Sequence, residues 1–177
     1  MLNYLASSLS LATTPVARLL ALQSVLRATS YGDVGLPVGL VRGMGERSPE
    51  CAWQELVDSR FITPDVNLGM YVGRLTDPVG RMRGRVVRRR AADWALRTAR
   101  PTRLRELNPG GRLLLVGLKA FTDDAGEGGL VNSAQMSRIS GLTGRSLEDE
   151  LKLLVSATVL ATWQVDPDAE ELVWRWT

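Results

Sequence analysis

Histidine is absent from this chain, and cysteine occurs once, at Cys51. The first absence removes the side chain that most often moves protons near neutral pH and most often ligates metals. The second excludes an intramolecular disulfide and leaves a structural zinc site without its usual ligands. No cofactor and no metal are expected. Lysine is nearly missing as well: two lysines stand against twenty arginines. No apolar run reaches the 18 residues of a membrane-spanning helix, so no membrane partner is expected. The first residues, MLNYLASSLSLATTP, lack the basic start of a secretory signal, and a cytoplasmic protein is expected. Gly126, Gly128 and Gly129 lack the lysine and hydroxyl residue of a phosphate loop and read as a loop between helices. No acidic pair or serine triad stands out, so an enzyme is not expected. What remains is ordinary: 177 residues, 45% hydrophobic and 23% charged, enough for one domain or two small ones.

The charge that is present is unevenly placed. Between Arg81 and Arg105 there are ten arginines and one acid, Asp93, a local net charge of +9 in a chain of net charge +3. Residues 1–80 and 106–177 are each slightly or clearly acidic. A concentrated positive field attracts a polyanion, and the planar fork of arginine suits phosphate and guanine. Asp77-Pro78-Val79-Gly80 has the composition of a tight turn. The flanking segments, MYVGRLT and RMRGRVV, predict the two strands of a β-hairpin over 70–87, with Arg81, Arg83 and Arg85 on one face. A disordered arginine-rich linker is the alternative reading of the same stretch. Arg74, Arg88, Arg89 and Arg90 extend the candidate phosphate-binding set.

Helix-start chemistry organises the rest. Thr14-Pro15 and Asn108-Pro109 each place a capping side chain before a proline at the first helical position. The apolar stripes after them predict helices to about Thr29 and through Phe121. In the first half a second short helix is expected over Leu36–Met44. A third follows from Ser48-Pro49 with Trp53 on its inner face, and then a strand entered at Phe61-Ile62. Cys51 is expected as a buried or half-buried filler. In the second half, Leu130-Val131 reads as extended. Ser133–Ser140 and Arg145–Ala157 read as helices around a Gly141–Gly144 turn. Trp163, Trp174 and Trp176 alternate on a hairpin turned at Asp166-Pro167. The halves align: Arg18-Leu19-Leu20 with Arg112-Leu113-Leu114 and Leu36 with Leu130 at a spacing of 94, then Ser48 with Ser146, Leu56 with Leu154 and Phe61 with Val159 at 98.

This order, with SAQMSRISGLTGRSLEDELKLLVSATVL as its best stretch, resembles the winged helix-turn-helix of bacterial transcription regulators and plasmid replication initiators. GERSPECAWQELVDSRFI carries the weaker likeness of the first half. The resemblance implies a mainly α fold with small β-hairpins: two winged helix-turn-helix units in tandem. Residues 13–90 would be the first unit with an arginine-rich wing, 91–107 a connecting helix or linker, and 108–177 the second unit. It further implies double-stranded DNA as partner, as a transcription regulator or a plasmid or phage replication or partition factor, and a nucleoid-associated location. The outward residues of its recognition helices would be Arg47, Ser48 and Gln54, and Arg145, Ser146 and Lys152. Glu148-Asp149-Glu150 departs from that pattern, since carboxylates repel phosphates. The alternative is therefore an assembly module whose winged helices contact protein, with Trp163, Trp174 and Trp176 as the partner surface. A homodimer is expected, through those tryptophans or an apolar N-terminal arm of Leu2, Tyr4, Leu5, Leu9 and Leu11.

Overall fold

In a computed structural model, residues 1–44, 49–65, 70–77, 84–99, 107–166 and 168–177 are described. The capping chemistry acts where expected. Thr14 accepts from Ala17 N and starts α2 (Pro15–Arg27), after a short α1 (Leu2–Ser8). Asn108 accepts from Gly111 N at 2.9 Å and starts α6 (Pro109–Ala120). Between them lie β1 (Asp33–Pro37), α3 (Val38–Gly43), α4 (Pro49–Asp58), β2 (Ile62–Asp65), β3 (Met70–Leu75) and α5 (Arg85–Thr98). After α6 come β4 (Gly128–Asn132), α7 (Ser133–Ser140), α8 (Arg145–Ser156), β5 (Leu160–Asp166) and β6 (Glu171–Trp176). The fold is thus a mixture of helices and two small antiparallel sheets, ordered β1-β3-β2 and β4-β6-β5. Each half runs helix, strand, helix, helix, strand, strand, with its last strand in the middle of its sheet.

The correspondence reaches individual bonds. Phe61 N donates to Leu56 O, and Val159 N donates to Leu154 O. Arg60 and Thr158, just before those residues, both take positive φ, 58° and 57°. A β-branched threonine is an outlier there, so the helix-to-strand corner itself imposes the conformation. The cross-strand pair Val34–Gly73 of the first sheet becomes Gly129–Trp174 in the second. A Cβ at Gly129 would lie 2.4 Å from the Trp174 ring, so the large residue has changed strands and the small one has followed.

Four expectations need correction. The segment expected to be helical over Leu36–Met44 begins as a strand. Pro37 ends β1, which is an edge, where proline costs no ladder hydrogen bond. The second strand of the hairpin expected over 70–87 does not reach 85–87: among the described residues β3 pairs with β1 and β2, and RVVRRRAADWALRT is one helix, while 78–83 lie outside the described residues. Arginine and alanine are good helix formers, and Arg88, Ala92, Ala95 and Ala99 recur at helical spacing to face α2. The structural partner of buried Leu36 is buried Val131, whereas Leu130 is 53% exposed. Cys51 is exposed rather than buried. In addition, Gly128 and Gly129 belong to β4 rather than to a loop.

Two apolar cores result, one per half, but they meet. Leu113 and Val116 of α6 pack with α2 and the first core. Leu114, Leu115 and Leu118, on the other side of α6, belong to the second core with Met136, Leu151, Leu154 and Trp174. The N-terminal segment is not a free arm. Leu5 and Leu9 are buried in the first core, Leu2 and Tyr4 pack against it, and Gln135 Nε2 of α7 donates to Asn3 Oδ1 at 2.7 Å. Only Leu11 of the five apolar residues proposed for dimerisation stands well out, at 65% exposure.

Candidate nucleic-acid interface

α5 carries the arginine-rich stretch as a helix docked on α2. Its inner face is nearly all alanine, which lets the two backbones approach closely. Gln23 Nε2 donates to Ala92 O at 3.3 Å, and Arg27 pairs with Asp93 at 2.7 Å. Arg88 points inward, buried, and its guanidinium donates to Ala28 O at 2.8 Å, at the end of α2. This corrects its assignment as a phosphate contact: a buried guanidinium satisfying a helix-terminal carbonyl is a structural group. Arg85, Arg89, Arg90 and Arg97 are exposed. Arg85 and Arg89 are one turn apart, and Arg90 and Arg97 two turns apart, so the helix offers cations over much of its outer surface. Asp93, the one acid of this helix, is held by Arg27. Arg97 was not among the expected residues. Its seven-residue spacing from Arg90 is the signal that a helical reading would have used.

Beside the arginines, α5 exposes Val86, Val87 and Trp94, the last 38% exposed. Trp94 borders an apolar groove of about 300 Å³ between α1, α2, α5 and α6, with Leu22, Leu26, Val116 and Phe121 on its walls.

The last helices before the strand pair of each half, α4 and α8, present a different surface. On α4 the exposed residues are Glu50, Cys51, Gln54 and Asp58. Gln54 Nε2 donates to Asp58 at 2.8 Å, and Glu50 accepts from the Tyr71 hydroxyl at 3.0 Å. Burial, followed by that carboxylate, pushes the Tyr71 hydroxyl up to about 12. On α8, Arg145 is exposed at the first position, but Lys152 lies 3.6 Å from both Glu148 and Asp149. Ser146 Oγ is engaged in its own turn, accepting from Thr143 N at 3.0 Å and donating to Thr143 O at 2.8 Å. Arg74, on β3, pairs with Asp33 at 2.8 Å, and the guanidinium holds that carboxyl below its usual range. The expected residues Arg47, Ser48, Arg81 and Arg83 lie outside the described residues.

The tryptophan hairpin is core on one face, through Leu160, Leu172 and Trp174. Trp174 is 1% exposed, so it cannot belong to a partner surface. Trp163 and Trp176 are half-buried. Trp176 donates to Thr122 Oγ1 at 3.0 Å and carries Lys119 Nζ 3.6 Å above its ring. Among the described residues no cluster of acids and cysteine could hold a metal, and no helix is long and apolar enough to cross a membrane. Against known proteins the chain matches no family model, no curated protein and no solved structure.

Proposed function

We propose that this chain is a tandem winged helix-turn-helix protein that binds double-stranded DNA, chiefly through phosphate contacts of the arginines on α5. The order helix, strand, helix, helix, strand, strand, with the last strand central, is that of a winged helix and supports the first clause. The observation that carries the second is the exposure of Arg85, Arg89, Arg90 and Arg97 on one helix whose single acid is already paired. Four exposed cations on a rigid element, with no ion pair among the described residues, form an electrostatic footprint for a polyanion. Base reading by α4 and α8 is confined to a few groups, Arg145 above all, because the neighbouring side chains are acidic or, like Gln54 with Asp58, internally paired. A regulator or a replication or partition factor in which phosphate contacts dominate affinity fits this distribution.

A second reading, a winged-helix assembly module, is favoured by the acidic outer faces of those same two helices. Duplex binding at varied salt separates the two. About five neutralised phosphates give a slope of log affinity against log salt of roughly −4 to −5. Replacing Arg85, Arg89 and Arg90 by alanine is expected to flatten the slope by about 2 to 3 and to weaken all sequences alike. An unchanged slope, or no duplex binding by the wild type at low salt, gives the assembly reading precedence.

A further inference from the structure

The two halves hold each other by a reciprocal pair of arginines. Arg18, in the first turn of α2, is 1% exposed. Its Nε donates to Thr13 O at 3.0 Å, its Nη2 to Ser10 O at 2.5 Å, and its Nη1 to Arg138 O in the last turn of α7, in the other half. Arg112 occupies the matching place on α6. Its Nε donates to Leu107 O at 3.0 Å, and its Nη1 to Met44 O, which caps the C-terminal end of α3 in the first half. Each cation thus closes on the carbonyl end of a short helix, where positive charge is favoured. Arg18 also packs on Gly141: a Cβ there would lie 3.1 Å from its Cδ and Nε. Gly141 takes φ 73° and turns the chain from α7 toward α8. A contact in which one half offers helix-start arginine to helix end, and receives the same in return, is the isologous pattern of a two-fold dimer, here within one chain.

We propose that Arg18 and Arg112 are positioning residues that fix α2 relative to α6, and with them α4, which packs on α2, relative to α8, which packs on α6, so that a single chain presents α4 and α8 to one DNA duplex at one set separation. The arginines touch neither α4 nor α8 through these bonds; they act by tying α2 to the end of α7 and α6 to the end of α3. The proposal rests on the DNA-binding reading for its partner, but the clamp can be tested without DNA. Cys51 is free and exposed on α4, and Glu148 is exposed on α8. Spin labels at Cys51 and at the E148C position report the distance between the helices by pulsed electron resonance. The wild-type background is expected to give one narrow distribution. R18Q and R112Q should each broaden it by about twofold or more. R89Q, at an exposed position, should leave it unchanged. R18K, which keeps the charge and the stem but loses the fork, should fall between and serves if R18Q does not fold. An unchanged width in R18Q and R112Q, with or without a fall in Tm, overturns the clamp and leaves buried filler. On DNA, one chain per duplex is expected, and R112Q should keep the salt slope of the wild type while losing preference for one spacing of two contacted segments. Two chains per duplex, or a retained spacing preference, overturns the positioning role. Absence of any duplex binding by the wild type refutes the proposed function instead, and the label distances still decide the clamp.

Discussion

Glu150 shows how much a single side chain is asked to tolerate. It is 9% exposed on the inner face of α8, takes a hydrogen bond on Oε1 from Asn108, the cap of α6, and packs its Oε2 against Gly111. That second oxygen is buried without a hydrogen-bond partner among the described residues. Burial first, and Asp149 second, push its pKa up. The sign of the linkage follows. Between the unfolded value and the raised folded value the native state binds the extra proton, so stability falls as pH rises through that window and the full penalty is present above it. Glu150→Gln keeps an acceptor for Asn108 and removes the charge. The variant is expected to match the wild type near pH 4 and to unfold a few degrees higher at pH 7, since about 1 kcal/mol moves Tm by roughly 2–4 °C at this chain length. Thermal melts across pH 4–8 check this, and a Tm gain that is equal at both ends would contradict it. The residue was legible in the sequence as one of three adjacent acids. What was not legible is that it points inward while Glu148 and Asp149 point outward, because that depends on which turn of α8 faces the cap of α6.

At the scale of elements, the capped helices and the tryptophan hairpin were readable because their signals are local. Thr14-Pro15, Asn108-Pro109 and the Asp166 turn, whose carboxylate accepts from Asp168 N and Ala169 N, satisfy their own backbone groups within a few residues. The arginine stretch was not readable in the same way. Arg-Met-Arg-Gly-Arg-Val-Val fits a strand by local alternation, and only Ala92, Ala95 and Ala99 downstream, buried at helical spacing, decide for a helix from Arg85. β1 was hidden for the opposite reason: Gly35 and Pro37 are poor strand residues, and the edge position excuses them. The helical outcome divides the arginines into two kinds, and substitution separates them. Arg88→Ala removes the donor for Ala28 O and empties a buried site, with an expected loss of about 1–3 kcal/mol. Arg89→Ala and Arg90→Ala, at exposed positions, should stay within about 0.5 kcal/mol of wild type while weakening DNA affinity. Urea unfolding paired with duplex titration reads both quantities. Equal stability losses for Arg88 and Arg89 would mean that α5 is not docked through Arg88.

At the scale of the whole molecule, a repeated pattern can mean two bodies on a tether or one body built twice. Here α6 contributes Leu113 and Val116 to one core and Leu114, Leu115 and Leu118 to the other, so neither core can be lost without stripping a face of that helix. α1 adds a second tie, burying Leu5 and Leu9 in the first core while Asn3 bonds to Gln135 of α7. The two halves should therefore unfold together. The tryptophans provide the readout, since Trp53 and Trp94 lie in the first half and Trp163, Trp174 and Trp176 in the second. Leu20→Ala deletes a fully buried side chain of the first core, and Leu154→Ala one of the second. Each is expected to cost about 2–5 kcal/mol and to lower a single shared transition by roughly 5–15 °C. Calorimetry should show one peak with equal calorimetric and van't Hoff enthalpies in the wild type and in both variants. Tryptophan fluorescence followed in variants lacking either group of indoles should melt at the same temperature. If Leu154→Ala instead shifted only the second-half fluorescence and split the calorimetric peak, the halves would be independent folding units. The α2–α6 seam would then be a weak docking contact rather than shared core.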